Sequence, residues 1–311
     1  MPNIIFDAHC DTISKIADSN ESLLKNSFHI DLERMQKNRH IQVFAAFINK
    51  KEDKLSPFLR CNQLIDCYHR QIFENHDKIQ HCSSIEDILS VIKQNKVAAL
   101  LSIEGGEALM GNIENLLYFY DRGVRLITLC WNYSNEIADG VEEDRGRGLT
   151  AFGKTVATRM NELGMVIDIS HISPKSFWDV LETTKKPIVA SHSNAYSICK
   201  HKRNLTDEQI LAIIKNNGCI GINLYRDFLS DGECDISSVL KHIEYIMALG
   251  GENNIGLGSD FDGMSSLPSG FKGIENLGEI LEELLKIGYS EKLVENILYG
   301  NFLRVFKENF K

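Results

Sequence analysis

Met165-Val166-Ile167-Asp168-Ile169-Ser170-His171 is the stretch from which the fold can be read. It is a short, near-continuously apolar run that ends in a polar pair, Ser170-His171. Ahead of it, Phe152, Val156, Met160 and Leu163 fall at i, i+4, i+8 and i+11, the spacing of an amphipathic helix. A strand that is apolar on both faces suits a parallel sheet covered on both sides, whereas a half-exposed antiparallel strand alternates. A helix, a buried strand and a polar strand end are therefore expected in succession.

The same unit recurs outward from this stretch. Further strands are predicted at Ile4-Ile5-Phe6, Gln42–Ile48, Val97–Ile103, Arg125–Leu129, Pro187–Ala190, Cys219–Leu224 and Ile255–Gly258, which makes eight with Met165–Ile169. Helices are predicted between them. Ser83-x-x-Glu86 has the capping-box pattern ahead of Ile85, Ile88, Leu89 and Ile92, and Thr206-x-x-Gln209 has it ahead of Ile210, Ile213 and Ile214. Val239, Leu240, Ile243, Ile246 and Met247 form another stripe, residues 55–94 leave room for one long or two shorter helices, and helical patterns follow Glu275. Alternation without a linker predicts a single (β/α)8 TIM-type barrel over residues 1–311, with an open doubly wound sheet as the rival.

Composition narrows the function. The chain has 311 residues, 43% hydrophobic and 25% charged, with 34 Lys+Arg against 43 Asp+Glu and a net charge of −9. That balance opposes a surface that tracks phosphates, so no nucleic-acid partner is expected. Met1-Pro2-Asn3 opens without a basic and apolar leader, and runs such as Val97–Leu101 fall far short of the ~20 residues of a membrane span. A cytoplasmic protein without a membrane partner is the expectation. The eight cysteines include no C-x-x-C pair and read as reduced thiols, several of them small core residues.

The chemistry lies where the predicted strands end. The first runs into Asp7-Ala8-His9-Cys10-Asp11, the third into Glu104-Gly105-Gly106-Glu107, the fifth into Ser170-His171, the sixth into Ser191-His192-Ser193 and the eighth into Ser259-Asp260-Phe261-Asp262-Gly263. In a barrel these ends share one mouth. His9-x-Asp11 can turn a nitrogen and an oxygen toward one cation, and with Glu104, His171 and His192 it makes a donor set suited to zinc, with Glu104 able to bridge two ions. Asp260, near these residues, is placed to exchange protons with a metal-bound water. Asp262 and Asp168 read as structural. The loop Lys200-His201-Lys202-Arg203-Asn204 offers Arg203 to an anionic group or is simply solvated. The other histidines, His29, His40, His69, His76 and His81 among them, read as lying in polar surroundings.

Together with Ile103-Glu104-Gly105-Gly106, Gly123-Val124-Arg125, Asn161 through His171, Ser191-His192-Ser193, Gly258 through Gly263 and Asn301-Phe302-Leu303-Arg304-Val305-Phe306, these motifs resemble the renal (membrane) dipeptidase family of zinc metallopeptidases, from about residue 4 to 307. The resemblance implies an amidohydrolase-like barrel with two Zn2+ ions. His9, Asp11 and Glu104 would hold one, and Glu104, His171 and His192 the other. It further implies a dipeptide substrate, often with a D-residue at its C-terminal position, whose carboxylate Arg203 binds. Asp260 would be the acid/base, a metal-bridging hydroxide the nucleophile, and a homodimer the assembly.

One departure stands out. Animal members carry a histidine after the fourth strand that stabilises the oxyanion, whereas this chain reads Thr128-Leu129-Cys130-Trp131-Asn132, as bacterial members do. Trp131 then faces the substrate, and Asn132 or Asn135 is a candidate replacement donor. Two other functions fit the same residues. One is a metal hydrolase of another amide, a lactone or a phosphoester, and the other a peptide-binding relative that has lost catalysis.

Overall fold

The computed structural model of the chain describes residues 4–49, 53–143 and 146–311. Among these residues, nine strands, all paired in parallel, form one sheet: β1 (Ile4–Cys10), β2 (Arg39–Phe47), β3 (Ile79–His81), β4 (Val97–Glu104), β5 (Val124–Thr128), β6 (Val166–Asp168), β7 (Val189–Ala190), β8 (Cys219–Ile222) and β9 (Ile255–Leu257). The order runs β2-β1-β9-β8-β7-β6-β5-β4-β3, and β2 also pairs with β4, from Ile41 opposite Ala98 to Phe47 opposite Glu104. This pairing closes eight strands into a (β/α)8 barrel and rules out the open sheet. The remaining strand, β3, lies beside the first residues of β4 and takes no part in the closure.

The eight predicted strands are the eight barrel strands, and β3 is an addition. Residues 55–94 form two helices, Pro57–Glu74 and Ile85–Lys93, with β3 between them. The second helix starts one residue later than the pattern suggested. Ser84, not Ser83, is its N-cap, and the capping box closes with Asp87 rather than Glu86. Asp87 Oδ2 also accepts the backbone N–H groups of both Ser83 and Ser84, each at 3.0 Å, which fixes this frame. Thr206 and Gln209 form the expected capping box of the helix Asp207–Lys215.

Side chains sort into two buried clusters. Phe6, Ala8, Ile41, Val43, Ala98, Leu100, Leu126, Val166, Val189 and Cys219 pack with Phe302, Val305 and Phe306 of the last helix, Asn301–Asn309. Phe6 meets the rings of Phe302 and Phe306 edge-on at 5.3 and 5.0 Å. The same helix ties down the strand beginnings: Asn309 Nδ2 donates to Pro187 O and Arg304 to the carbonyls of Gly218 and Asn253. The larger cluster, which includes Phe44, Leu101, Ile103, Ile127, Ile167, Ile220 and Leu257, packs the sheet against the surrounding helices. The final helix thus closes the N-terminal end of the barrel, and the polar strand ends gather at the other. There the strands crowd together: a Cβ on Gly258 would stand 1.7 Å from Ser191 O, so only glycine fits. All eight cysteines are free and buried. Among the described residues, no helix is long and apolar enough to cross a membrane.

Candidate metal centre

Five side chains meet at the barrel mouth. His9 and Asp11 come from the end of β1, Glu104 is the last residue of β4, and His171 and His192 lie just past β6 and β7. All are at least nine-tenths buried. The two oxygens of Glu104 face different partners: Oε2 is 3.2 Å from His9 Nε2, while Oε1 is 2.9 Å from His171 Nε2 and 3.6 Å from His192 Nε2. His9 Nε2 is also 3.2 Å from Asp11 Oδ2 and 4.0 Å from Asp260 Oδ1. Two groups of three, His9 with Glu104 and His192, and His9 with Asp11 and Asp260, hold their donor atoms within 4.8 Å of one another.

Hydrogen bonds at the other ring nitrogens fix two tautomers. Ser191 donates its one hydroxyl proton to Asp168 Oδ2 at 2.6 Å, so its oxygen accepts from His192 Nδ1 at 2.7 Å. Asn132 Oδ1, an acceptor, takes the proton of His171 Nδ1 at 2.7 Å. Both Nε2 atoms are therefore bare, and they face each other at 2.8 Å beside a carboxylate oxygen. Burial holds both imidazoles neutral: His171 is lowered to about 4, and His192 lies well below its usual value. Two lone pairs and a carboxylate converging without a proton between them repel one another unless a cation joins them. On the β1 side, burial would depress His9, but Glu104 and Asp11 overcome it and raise the imidazolium well above its ordinary range. A positive charge is favoured there too.

Asp260 and Arg203 stand on the wall of the same cavity, of about 770 Å³, with Trp131, Tyr225 and Phe228. Burial raises Asp260 to about 7, with His9 opposing and the charges of Asp11 and Glu104 adding, and Asn223 Nδ2 donates to its Oδ2 at 2.8 Å. Arg203 is 6% exposed, so the basic loop is not simply solvated. Its Nη2 donates to His192 O at 3.2 Å, its guanidinium stands over the Phe228 ring at 5.5 Å, and its Nε has no hydrogen-bond partner. No carboxylate lies in ion-pair contact with it among the described residues. By contrast, Lys202 pairs with Glu142.

Of the two candidate replacement donors, Asn135 is engaged elsewhere: its Nδ2 donates to Glu107 Oε2 and Leu129 O, and its Oδ1 accepts two backbone N–H groups. Asn132 accepts from His171 Nδ1 through its oxygen and lines the cavity with Trp131, whose ring is 6.0 Å from that of His171. Asp262 is structural, accepting from Thr12 Oγ1 and the His29 backbone. Sequence reading missed the backbone shape of this mouth: His171 and Asp260 both adopt left-handed conformations, with φ of 68° and 62°. Such strain in non-glycine residues collects at functional sites.

Comparison with known proteins places the chain in a family. The family model for membrane dipeptidase, peptidase family M19, matches residues 2–310. A dipeptidase of Aspergillus oryzae is 32% identical over 290 residues, covering 89% of this chain and 69% of that protein. An uncharacterised protein of Klebsiella pneumoniae, encoded upstream of pqqA, is 36% identical over 241 residues, 74% of this chain and 89% of its own length. In fold, the chain matches a metallopeptidase of Rhodobacter sphaeroides, solved with a phosphinate mimic of the dipeptide L-Ala-D-Ala, at a TM-score of 0.92 and 23% identity with full coverage of both chains. The barrel, the motifs and the family match converge: the chain belongs to the membrane dipeptidase family of peptidases.

Proposed function

We propose that this protein is a zinc-dependent dipeptidase whose two ions are bridged by Glu104, one held with His9 and Asp11, the other with His171 and His192. The observation that carries this reading is the division of Glu104, with one oxygen beside His9 and the other beside two imidazoles whose lone pairs face one another. Histidine nitrogens and carboxylate oxygens are the donors zinc prefers. Bound there, such ions lower the pKa of water and polarise a carbonyl oxygen.

The protein's own groups supply the rest. Arg203 is a buried cation with an unused Nε–H, and an anion in the cavity would offset the cost of its burial. A substrate's C-terminal carboxylate suits it. With that end fixed and the scissile carbonyl at Glu104, one residue separates the two, which favours dipeptides. The cavity has room for one. Asp260, raised to about 7, accepts a proton from the attacking water and delivers it to the leaving amine near neutral pH. Trp131 and Asn132 line the same cavity as Glu104 and Asp260, and an N–H donor from one of them would stabilise the carbonyl oxygen as it acquires charge. The Rhodobacter relative, with its L-Ala-D-Ala mimic, supports an L-Xaa-D-Xaa substrate here.

The test is a screen of L,L and L,D dipeptides alongside a lactone and a phosphotriester, with zinc measured on the same sample. Dipeptide turnover that requires zinc and disappears in Glu104→Gln is expected. Turnover of lactone or phosphotriester alone would overturn the substrate assignment, and tight dipeptide binding without turnover would mark a binding protein.

A further inference from the structure

Asp168 is a fully buried carboxylate inside the barrel, yet it touches neither the cavity nor any of the five candidate ligands. It accepts four hydrogen bonds. Oδ1 takes the backbone N–H of Ser170 at 3.0 Å and of Ser191 at 2.8 Å, and Oδ2 takes the hydroxyls of Thr128 and Ser191, both at 2.6 Å. Its donors come from β5, from the end of β6 and from the end of β7, so one side chain joins three neighbouring strands. Ser170 immediately precedes His171, and Ser191 immediately precedes His192. The two serines also meet each other, with Oγ atoms 3.2 Å apart, and Ser170 Oγ accepts the His192 backbone N–H at 3.1 Å.

We propose that Asp168 is a positioning residue for one half of the metal centre, acting through Ser170 and Ser191 to fix the depth and direction of His171 and His192 and the tautomer of His192. The path to the metal side is explicit. Asp168 takes the only hydroxyl proton of Ser191, Ser191 must then accept from His192 Nδ1, and the bare Nε2 is left facing Glu104. An ordinary buried carboxylate would need only to be satisfied. This one binds the residue before each of two ligands and sets the proton placement of one of them.

A second tie of the same register shows which effects are specific to Asp168. Asp7 on β1 accepts Ser259 N at 2.8 Å and Ser259 Oγ at 2.6 Å, and Gln42 Nε2 of β2 at 3.1 Å. In the ladder, Asp168 pairs with Val189 and Asp7 with Leu257, and each serine lies two residues beyond that partner. Ser259 precedes Asp260 rather than a candidate imidazole ligand. The two ties are thus alike in geometry but serve different sides of the site.

The inference rests on the binuclear reading above, and zinc affinity tests the two separately. Zinc binding is measured by chelator competition on the full chain, for wild type, Ser191→Ala, Asp168→Asn, His192→Ala, the Ser191→Ala/His192→Ala double variant and Ser259→Ala. The expected result is two ions in wild type. In Ser191→Ala and in Asp168→Asn, one ion should weaken by about 10–100-fold and the other hold. The double variant should bind no more weakly than His192→Ala alone, because both changes act on the same ligand. Ser259→Ala should leave the ion lost in His192→Ala unchanged. Ser191→Ala removes a single hydroxyl and retains the backbone bond to Asp168, so it remains informative if Asp168→Asn does not fold. Two unaltered ions in Ser191→Ala, or both ions weakened equally, would overturn the positioning role. A wild-type chain that takes up fewer than two ions would overturn the binuclear reading and the inference with it.

Discussion

The Nε2 atoms of His171 and His192 stand 2.8 Å apart with no proton for either to share, because Asn132 and Ser191 have claimed the protons at the opposite ring nitrogens. Folding this chain without a cation leaves that repulsion in place. Zinc should therefore stabilise the protein, by about 3 kcal/mol for each ion held at a hundred times its dissociation constant. Thermal unfolding with and without a chelator checks this. The midpoint should fall by several degrees on chelation in wild type and by about half as much in His171→Ala, which keeps the ion held by His9, Asp11 and Glu104, whereas equal shifts in the two would contradict the prediction.

Arg203 makes a second prediction. Arg203→Ala should lower kcat/KM on a free dipeptide by about a hundredfold or more, mainly through KM. A dipeptide amide, which lacks the carboxylate, should be comparably poor for wild type and lose little further in the variant. If kcat falls while KM is unchanged, Arg203 does not hold the substrate's terminus.

Gly263 lies where a side chain would meet the site itself. An added Cβ would stand 2.3 Å from Asp11 Oδ2 and 2.6 Å from Asp260 Oδ1. Gly263→Ala should displace both carboxylates and cut turnover by about a hundredfold or more, since displacements near 1 Å carry that cost. Gly278→Ala, which makes only an ordinary contact with Asn38 in the helix Leu277–Lys286, should leave turnover intact. Steady-state rates on the two variants decide the point.

His40 and His242 predict how stability depends on pH. Burial lowers each to about 4; in His242, Nδ1 accepts the Ala195 N–H and Nε2 donates to Leu229 O. A folded-state pKa below the unfolded value of 6.5 means that the unfolded chain binds the proton first. Their contribution is thus complete above pH 6.5 and is lost as the pH falls from there toward 4. At pH 5 the loss amounts to about 2 kcal/mol for each histidine. Urea unfolding at pH 7.5 and pH 5 should show that loss, reduced by about 2 kcal/mol in His40→Gln. An unchanged pH dependence in the variant would refute the assignment.

Much of this molecule was legible because parallel barrel strands are apolar on both faces, and Met165–Ile169 and its seven counterparts stand out for that reason. β3 did not, since three residues with one apolar member leave no pattern. The five candidate ligands were found from their places at strand ends, which the barrel brings together. The supporting contacts were not visible, because they depend on register: the Asp168–Ser191 bond exists only when Asp168 pairs with Val189. His40 and His242 were misread as lying in polar surroundings. Both are buried, and His242 is held by backbone groups that leave no trace in composition.

If Glu104 bridges two ions that act together, hydrolysis requires both. Adding zinc stepwise to chelator-treated protein, while following hydrolysis of L-Ala-D-Ala, tests it most directly. Two equivalents should bind, with full turnover reached only at the second, and Glu104→Gln should show neither two-ion binding nor turnover. Full turnover at one equivalent, or two tightly bound ions in Glu104→Gln, would contradict it.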